Sequence, residues 1–72
     1  MSFSESICMT NGGARPNTPC VFPFKQTKQT KVGCSTFESA KPWCSTKVNE
    51  SGYHVGGEWG YCSPGCPEDF GM

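Results

Sequence analysis

The sequence predicts a small disulfide-rich domain, mostly irregular, with a few short antiparallel strands. The chain has 72 residues, of which six are cysteine, nine glycine and six proline, and it contains no leucine. A domain of this size buries only about 60% of its unfolded surface, so apolar burial alone is too weak to offset the entropy of ordering the chain. The even number of cysteines in a short chain rich in glycine and proline therefore indicates three disulfides.

The cysteines also bear on location and on metal binding. Because disulfides persist in oxidising compartments, we expect an extracellular protein or one in the secretory lumen. The alternative use of cysteine is a zinc site, since Cys62 and Cys66 stand four residues apart and His54 is the single histidine. Structural zinc sites usually have two closely spaced ligand pairs, whereas the other four cysteines are ten or more residues apart. We therefore expect no metal and no cofactor, and we expect His54 to be a surface loop residue.

Charge and hydropathy exclude several classes of partner. The formal net charge is zero, which disfavours nucleic acid, and no apolar run approaches the ~20 residues of a membrane span. The first residues, MSFSESICMTNGG, lack the basic start and apolar stretch of a signal peptide, so we expect a processed form or an excised module if the protein is secreted.

Asn49-Glu50-Ser51 is a glycosylation sequon in a polar, glycine-rich stretch, which makes Asn49 a candidate attachment site.

The order of segments predicts strands and loops but no helix, because no window repeats apolar residues at helical spacing. Residues 1–19 are expected to be an irregular arm, and CVFPF a short strand that Pro23 limits to an edge or a bend. KQTKQTK, with Lys25, Lys28 and Lys31, is expected to form a solvated hairpin with charged edges. The alternative for these lysines is a patch for an acidic partner such as a sulfated glycan. PWCSTKV and WGYC are expected to be two further strands on either side of a glycine-rich loop.

The sequence offers aromatic side chains that could bind a ligand, but no evident catalytic groups. His54 has no evident partner, paired cysteines leave no thiolate nucleophile, and so small a domain lacks room for an enclosed active site. The chain has nine aromatic residues, of which Phe22 and Trp43 are the leading candidates for the core. Period-two alternation puts Trp59 and Tyr61 on one face of their strand, where rigid rings can bind peptide, apolar side chains or quaternary ammonium groups.

The motifs CVFPF, PWCST and WGYC, with a cysteine fourteen residues after the first one, resemble the fibronectin type II module over Cys20 to Cys62. The resemblance implies two small antiparallel sheets, roughly perpendicular, around an aromatic core. It also implies a nested, kringle-like set of bridges: Cys20–Cys44, Cys34–Cys62 and, for the two cysteines left over, Cys8–Cys66. The corresponding division is an arm (1–19) tethered by Cys8, a core (20–62) and a tail (63–72) tethered by Cys66.

The resemblance further implies a binding module without catalytic activity. Members of the family bind gelatin and denatured collagen, or phosphorylcholine headgroups, through a shallow aromatic pocket. By this resemblance Trp43 and Trp59 belong to the pocket and Tyr53 contributes. A further pocket tyrosine of the choline-binding members falls at Gln26 in this sequence, which weakens the expected cage.

Two classes of function follow from the sequence. The first is a secreted binding module, alone or as an accessory part of a larger secreted protein, for an extended peptide, a collagen-like chain or a lipid headgroup. Its predicted aromatic patch consists of Trp43, Tyr53, Trp59, Tyr61 and Phe24. The second is a disulfide-stapled protease inhibitor or toxin-like effector. Its inserted residue would be Arg15, Lys25, Lys28 or Lys31.

Overall fold

The computed structural model describes residues 8–36 and 39–67, and within them the regular structure consists of short strands without a helix. The strands are β1 (Phe24–Gln26), β2 (Gln29–Lys31), β3 (Trp43–Ser45) and β4 (Trp59–Tyr61). β1 pairs with β2 and β3 with β4, both antiparallel, as two separate sheets. The predicted fold class is confirmed. The described residues contain no helix that is long and apolar enough to cross a membrane.

The first sheet is a β-hairpin with a two-residue turn. Gln26 pairs with Gln29, and the two residues between them, Thr27 and Lys28, have positive φ angles of 52° and 64°. Positive φ at both central residues is typical of a type I′ turn, whose twist matches that of the paired strands. The hairpin expected for this stretch is present, but its lysines are not all solvated. Lys31 is only 7% exposed, and its Nζ donates a hydrogen bond to Gln29 Oε1 at 2.8 Å.

The outer edge of β4 in the second sheet is covered by the segment 8–19. The Asn11 N–H donates to the Tyr61 carbonyl at 2.6 Å, and the Arg15 N–H donates to the Trp59 carbonyl at 2.8 Å. These bonds remove an open strand edge, which would otherwise be free to pair with another chain. The segment 8–19 is irregular, and it is joined to the domain along β4 as well as through the Cys8–Cys66 bridge. Residues 1–7 of the predicted arm lie outside the described residues.

Glycine in the middle of β4 permits this close approach. A Cβ atom at Gly60 would lie 2.6 Å from Thr10 Cβ and 2.8 Å from the Arg15 carbonyl oxygen. At Gly13, where φ is +85°, a Cβ atom would lie 2.7 Å from a ring carbon of Trp59. Glycine is the residue that lets two backbones meet this closely. The two glycines therefore allow the segment to lie flat on β4 and against the Trp59 ring.

All six cysteines lie in the described ranges, and all are paired. The bridges are Cys8–Cys66, Cys20–Cys44 and Cys34–Cys62, which confirms the expected pairing. Cys8 Sγ lies 3.3 Å from Cys20 Sγ and 4.0 Å from Cys34 Sγ, so the bridges stack on one another. Four sulfur atoms lie within 4.8 Å of one another, yet a sulfur held in a disulfide is not a thiolate that could bind zinc. The stacked bridges thus form part of the core.

Candidate functional site

Ring contacts divide the aromatic residues of the described part into two groups, and the first is core. The Phe24 and Trp43 ring centroids are 5.3 Å apart, and the His54 ring lies 5.3 Å from Trp43 and 6.1 Å from Phe24. Phe22 lies beside this group, half-buried. Phe24 is 0% exposed and Trp43 7% exposed. Phe24 therefore exposes no surface to a ligand, because its side chain points into the interior at the start of β1. It is not part of the exposed aromatic surface.

His54 belongs to this core group and is not the surface loop residue that we expected. Its Nδ1 lies 2.8 Å from Ser45 Oγ. The single hydroxyl hydrogen of Ser45 is already donated to the Lys47 carbonyl at 2.8 Å, so His54 Nδ1 must be the donor of the other bond. Partial burial lowers the pKa of His54, and the nearby Glu58 carboxylate only partly opposes that shift. His54 is therefore a neutral, structural imidazole that ties the loop after β3 to the aromatic core.

This burial of His54 predicts a loss of stability in mild acid. Because its pKa in the folded domain lies below the ordinary value of 6.5, the unfolded chain binds the proton first as the pH falls. The stabilising effect is fully present above that ordinary value and declines below it. Urea midpoints at about pH 7.5 and about pH 5.5 should therefore differ.

The matched variant for this test is His54→Gln, which keeps an N–H donor for Ser45 but does not titrate. We expect its midpoint to change less between the two pH values than that of the wild type. The Glu58 carboxyl does not titrate in this window, because the hydrogen bond from Arg15 lowers its pKa. Equal pH dependence in the wild type and in His54→Gln would contradict the assignment.

The second ring group consists of Trp59 and Tyr61, two residues apart on β4. Their centroids are 5.0 Å apart at an interplanar angle of 80°, an edge-to-face pair of the kind that aromatic rings favour. Both side chains are half-buried. They leave the same face of β4, as period-two alternation predicts. Because the edge-to-face packing fixes both rings, they offer a rigid, partly open surface.

Tyr53 stands apart from both ring groups, beside β1. It is 42% exposed, and Lys25 Nζ lies 5.5 Å from the centroid of its ring. The loop holds it there through three bonds near 2.9 Å: Asn49 N–H to the Tyr53 carbonyl, Tyr53 N–H to Asn49 Oδ1, and His54 N–H to the Lys25 carbonyl. Tyr53 is thus available to a ligand, but its ring already has a cation at a distance typical of cation–π attraction.

A shallow depression of about 400 Å³ lies beside Tyr61. Its rim includes Asn11, Lys41, Pro42, Tyr61, Ser63 and Pro64. Lys41 Nζ is 5.3 Å from the Tyr61 ring centroid, and the residues of ranges 8–36 and 39–67 that line the depression include no carboxylate. Sequence reasoning missed Asn11, Lys41 and the two prolines. A signal was available, since Lys41-Pro42 and Ser63-Pro64 directly flank Trp43 and Cys62.

The residues proposed for insertion into a protease cleft are not presented for that purpose. Arg15 is ion-paired through Nε and Nη2 to the Glu58 carboxylate at 3.0 Å and 3.1 Å, and its backbone N–H is bound to Trp59. Lys31 is buried, and Lys28 occupies the tight hairpin turn. Lys25 is exposed, but its backbone N–H and carbonyl are already hydrogen-bonded to Gly52 and His54. A peptide that adds itself to an enzyme cleft needs an extended segment with free backbone groups. The geometry therefore gives the inhibitor alternative no support.

The family model of the fibronectin type II domain matches residues 20–62. The chain belongs to the fibronectin type II domain family. The match spans both sheets of this type II domain and the bridges Cys20–Cys44 and Cys34–Cys62, whereas the Cys8–Cys66 bridge lies outside it. A search of curated proteins and a search of solved structures each found no match.

Membership settles the broad class of function. Fibronectin type II domains are binding modules and not enzymes, and with their disulfides they are typical of extracellular proteins. The part of the chain that carries the second ring group, β4, lies inside the matched residues.

Proposed function

We propose that this type II domain is a secreted, non-enzymatic module that binds an extended peptide, such as a denatured collagen chain, at the Trp59–Tyr61 pair. The observation that carries the proposal is the edge-to-face contact of these half-buried rings at 5.0 Å. Rings that are already fixed lose little conformational entropy when they bind a partner. Three disulfides and the sequon at Asn49 agree with passage through the secretory pathway.

The depression beside Tyr61 suits a proline-rich chain. Its rim combines the Tyr61 ring with Pro42 and Pro64, and none of its described residues carries a carboxylate. Aromatic-lined grooves bind extended polyproline-type segments, which lose little entropy because they are already extended. A denatured collagen chain is rich in such segments. The shape and the lining of this surface therefore support a peptide ligand.

Two lysines favour a peptide over a phosphorylcholine headgroup. Lys41 Nζ lies 5.3 Å from the Tyr61 ring centroid, and Lys25 Nζ lies 5.5 Å from that of Tyr53. A quaternary ammonium would have to displace these cations from the rings and would be repelled by their like charge. Trp43 is only 7% exposed, so its ring is not available to surround a quaternary ammonium group. The aromatic surface is therefore better suited to peptide than to choline.

Replacing Trp59 by alanine is expected to remove gelatin binding and to leave the domain folded. Trp59 is half-buried, and truncating a tryptophan at the centre of an interface typically weakens binding by about 30-fold or more. The measurement is a titration of the oxidised domain with gelatin by calorimetry, repeated with phosphorylcholine. Trp43 remains in the variant as a fluorescent reporter of the folded core.

The matched control is Val32→Ala, which truncates an apolar side chain that is 64% exposed outside the proposed surface. It should bind gelatin like the wild type. A folded Trp59→Ala variant with unchanged affinity would remove Trp59 from the site. Saturable binding of phosphorylcholine without binding of gelatin would replace the peptide with a lipid headgroup, and binding of neither would leave the domain a spacer or docking module.

A further inference from the structure

The sequon Asn49-Glu50-Ser51 lies in an exposed turn between β3 and β4, and all three of its residues are exposed. The Gly52 N–H donates to the Asn49 carbonyl at 2.9 Å, which closes the turn. The Asn49 side chain is also ordered. Its Oδ1 accepts hydrogen bonds from the Ser51 N–H at 2.9 Å and from the Tyr53 N–H at 3.0 Å.

These two bonds decide which atom of the Asn49 carboxamide is available for chemistry. Both partners are backbone N–H donors, so the atom that faces them must be the acceptor oxygen. The amide nitrogen Nδ2 makes no hydrogen bond to any residue of the described ranges. A substituent on Nδ2 would therefore leave the turn and its hydrogen bonds intact.

We propose that Asn49 carries an N-linked glycan when the chain passes through a eukaryotic secretory pathway, a step that rests on the secretion included in the proposed function. The donor is an oligosaccharide on a polyprenyl diphosphate. A bond forms between Asn49 Nδ2 and C1 of the first sugar, the C1–O bond to the diphosphate breaks, and Nδ2 loses one proton. No atom is oxidised or reduced. Because Oδ1 stays unmodified, it still accepts the hydrogen bonds that hold the turn.

The position of Asn49 gives this modification a consequence for binding. Tyr53 is joined to Asn49 by hydrogen bonds in both directions, its N–H to Oδ1 and its carbonyl to the Asn49 N–H. Tyr53 is the most exposed residue of the predicted patch, at 42%. Because these bonds hold Asn49 beside the Tyr53 backbone, a glycan on Asn49 would be close enough to cover part of the exposed Tyr53 side chain. Glycosylation would thus restrict the exposed aromatic surface at this end of the domain.

The test is secretion of the full chain, behind an added signal peptide, from cultured eukaryotic cells. The wild type is expected to gain mass that an N-glycan-releasing amidase removes, which leaves Asp at position 49 for peptide mass spectrometry to locate. Ser51→Ala removes only the hydroxyl of the sequon and keeps the backbone N–H that bonds Asn49 Oδ1, so it should be secreted without the added mass. Glu50→Ala keeps the sequon and should be modified like the wild type.

Secreted, disulfide-bonded wild type with unmodified Asn49 would overturn the proposal, as would equal modification of Ser51→Ala. Because the signal peptide is supplied, this outcome is independent of whether the natural protein is secreted. It is also independent of ligand binding, since gelatin titrations of the unglycosylated domain test the Trp59–Tyr61 surface separately.

Discussion

Replacing Phe24 by alanine is expected to unfold the type II domain at physiological temperature. Phe24 is 0% exposed and lies 5.3 Å, centroid to centroid, from Trp43. Truncating a buried phenylalanine costs about 3–5 kcal/mol, which is comparable to the whole stability of a small domain. Urea unfolding followed by tryptophan fluorescence measures the loss directly, because Trp43 packs on the deleted ring.

The control for this substitution is Phe22→Ala. Phe22 stacks on Phe24 at 6.2 Å but is half-buried, on the outer side of the same ring group. We expect a loss of only about 1–2 kcal/mol, because less apolar surface returns to water. Near wild-type stability for Phe24→Ala would show that the disulfides hold the domain without its aromatic core. Similar losses for the two variants would show that burial does not set the contribution of each ring.

Removing the outer bridge with the double substitution Cys8→Ser and Cys66→Ser is expected to destabilise the domain by about 3 kcal/mol. This bridge joins residues 58 apart in sequence, but the inner bridges already shorten the loop that it closes. Its loss should also loosen the segment 8–19 from β4. Hydrogen exchange measures this second effect, since the Arg15 N–H is bound to Trp59 and the Tyr61 N–H to Gly12.

The comparison for this variant is the double substitution Cys20→Ala and Cys44→Ala. Cys44 is 0% exposed, so this change adds an internal cavity to the lost constraint and should destabilise the domain more. In that variant the Cys8–Cys66 bridge still ties the segment 8–19 to the domain. If the exchange rates at Arg15 and Tyr61 are unchanged after removal of the outer bridge, that bridge does not hold the segment on β4.

The fold class and the pairing of the cysteines were accessible from the sequence. The composition of the chain is rich in cysteine, glycine and proline and lacks leucine. It indicates a small domain of short strands that is held together by disulfides. The motifs around Cys20, Cys44 and Cys62 added the family and, with it, the three bridges. The shared face of Trp59 and Tyr61 was also predictable, because side chains alternate along any strand whatever it packs against.

Burial was decided by the tertiary structure alone. Phe24, His54 and Lys31 were each expected at the surface, and each is buried or half-buried. Alternation says which residues of a strand share a face but not which face meets the interior, and a strand of three residues gives too short a pattern to decide. His54 is half-buried because Trp43 and Ser45, from another strand, lie against it. The segment 8–19 likewise finds its hydrogen-bonding partner in β4, more than forty residues away, and local sequence cannot specify a contact between two such distant parts of the chain.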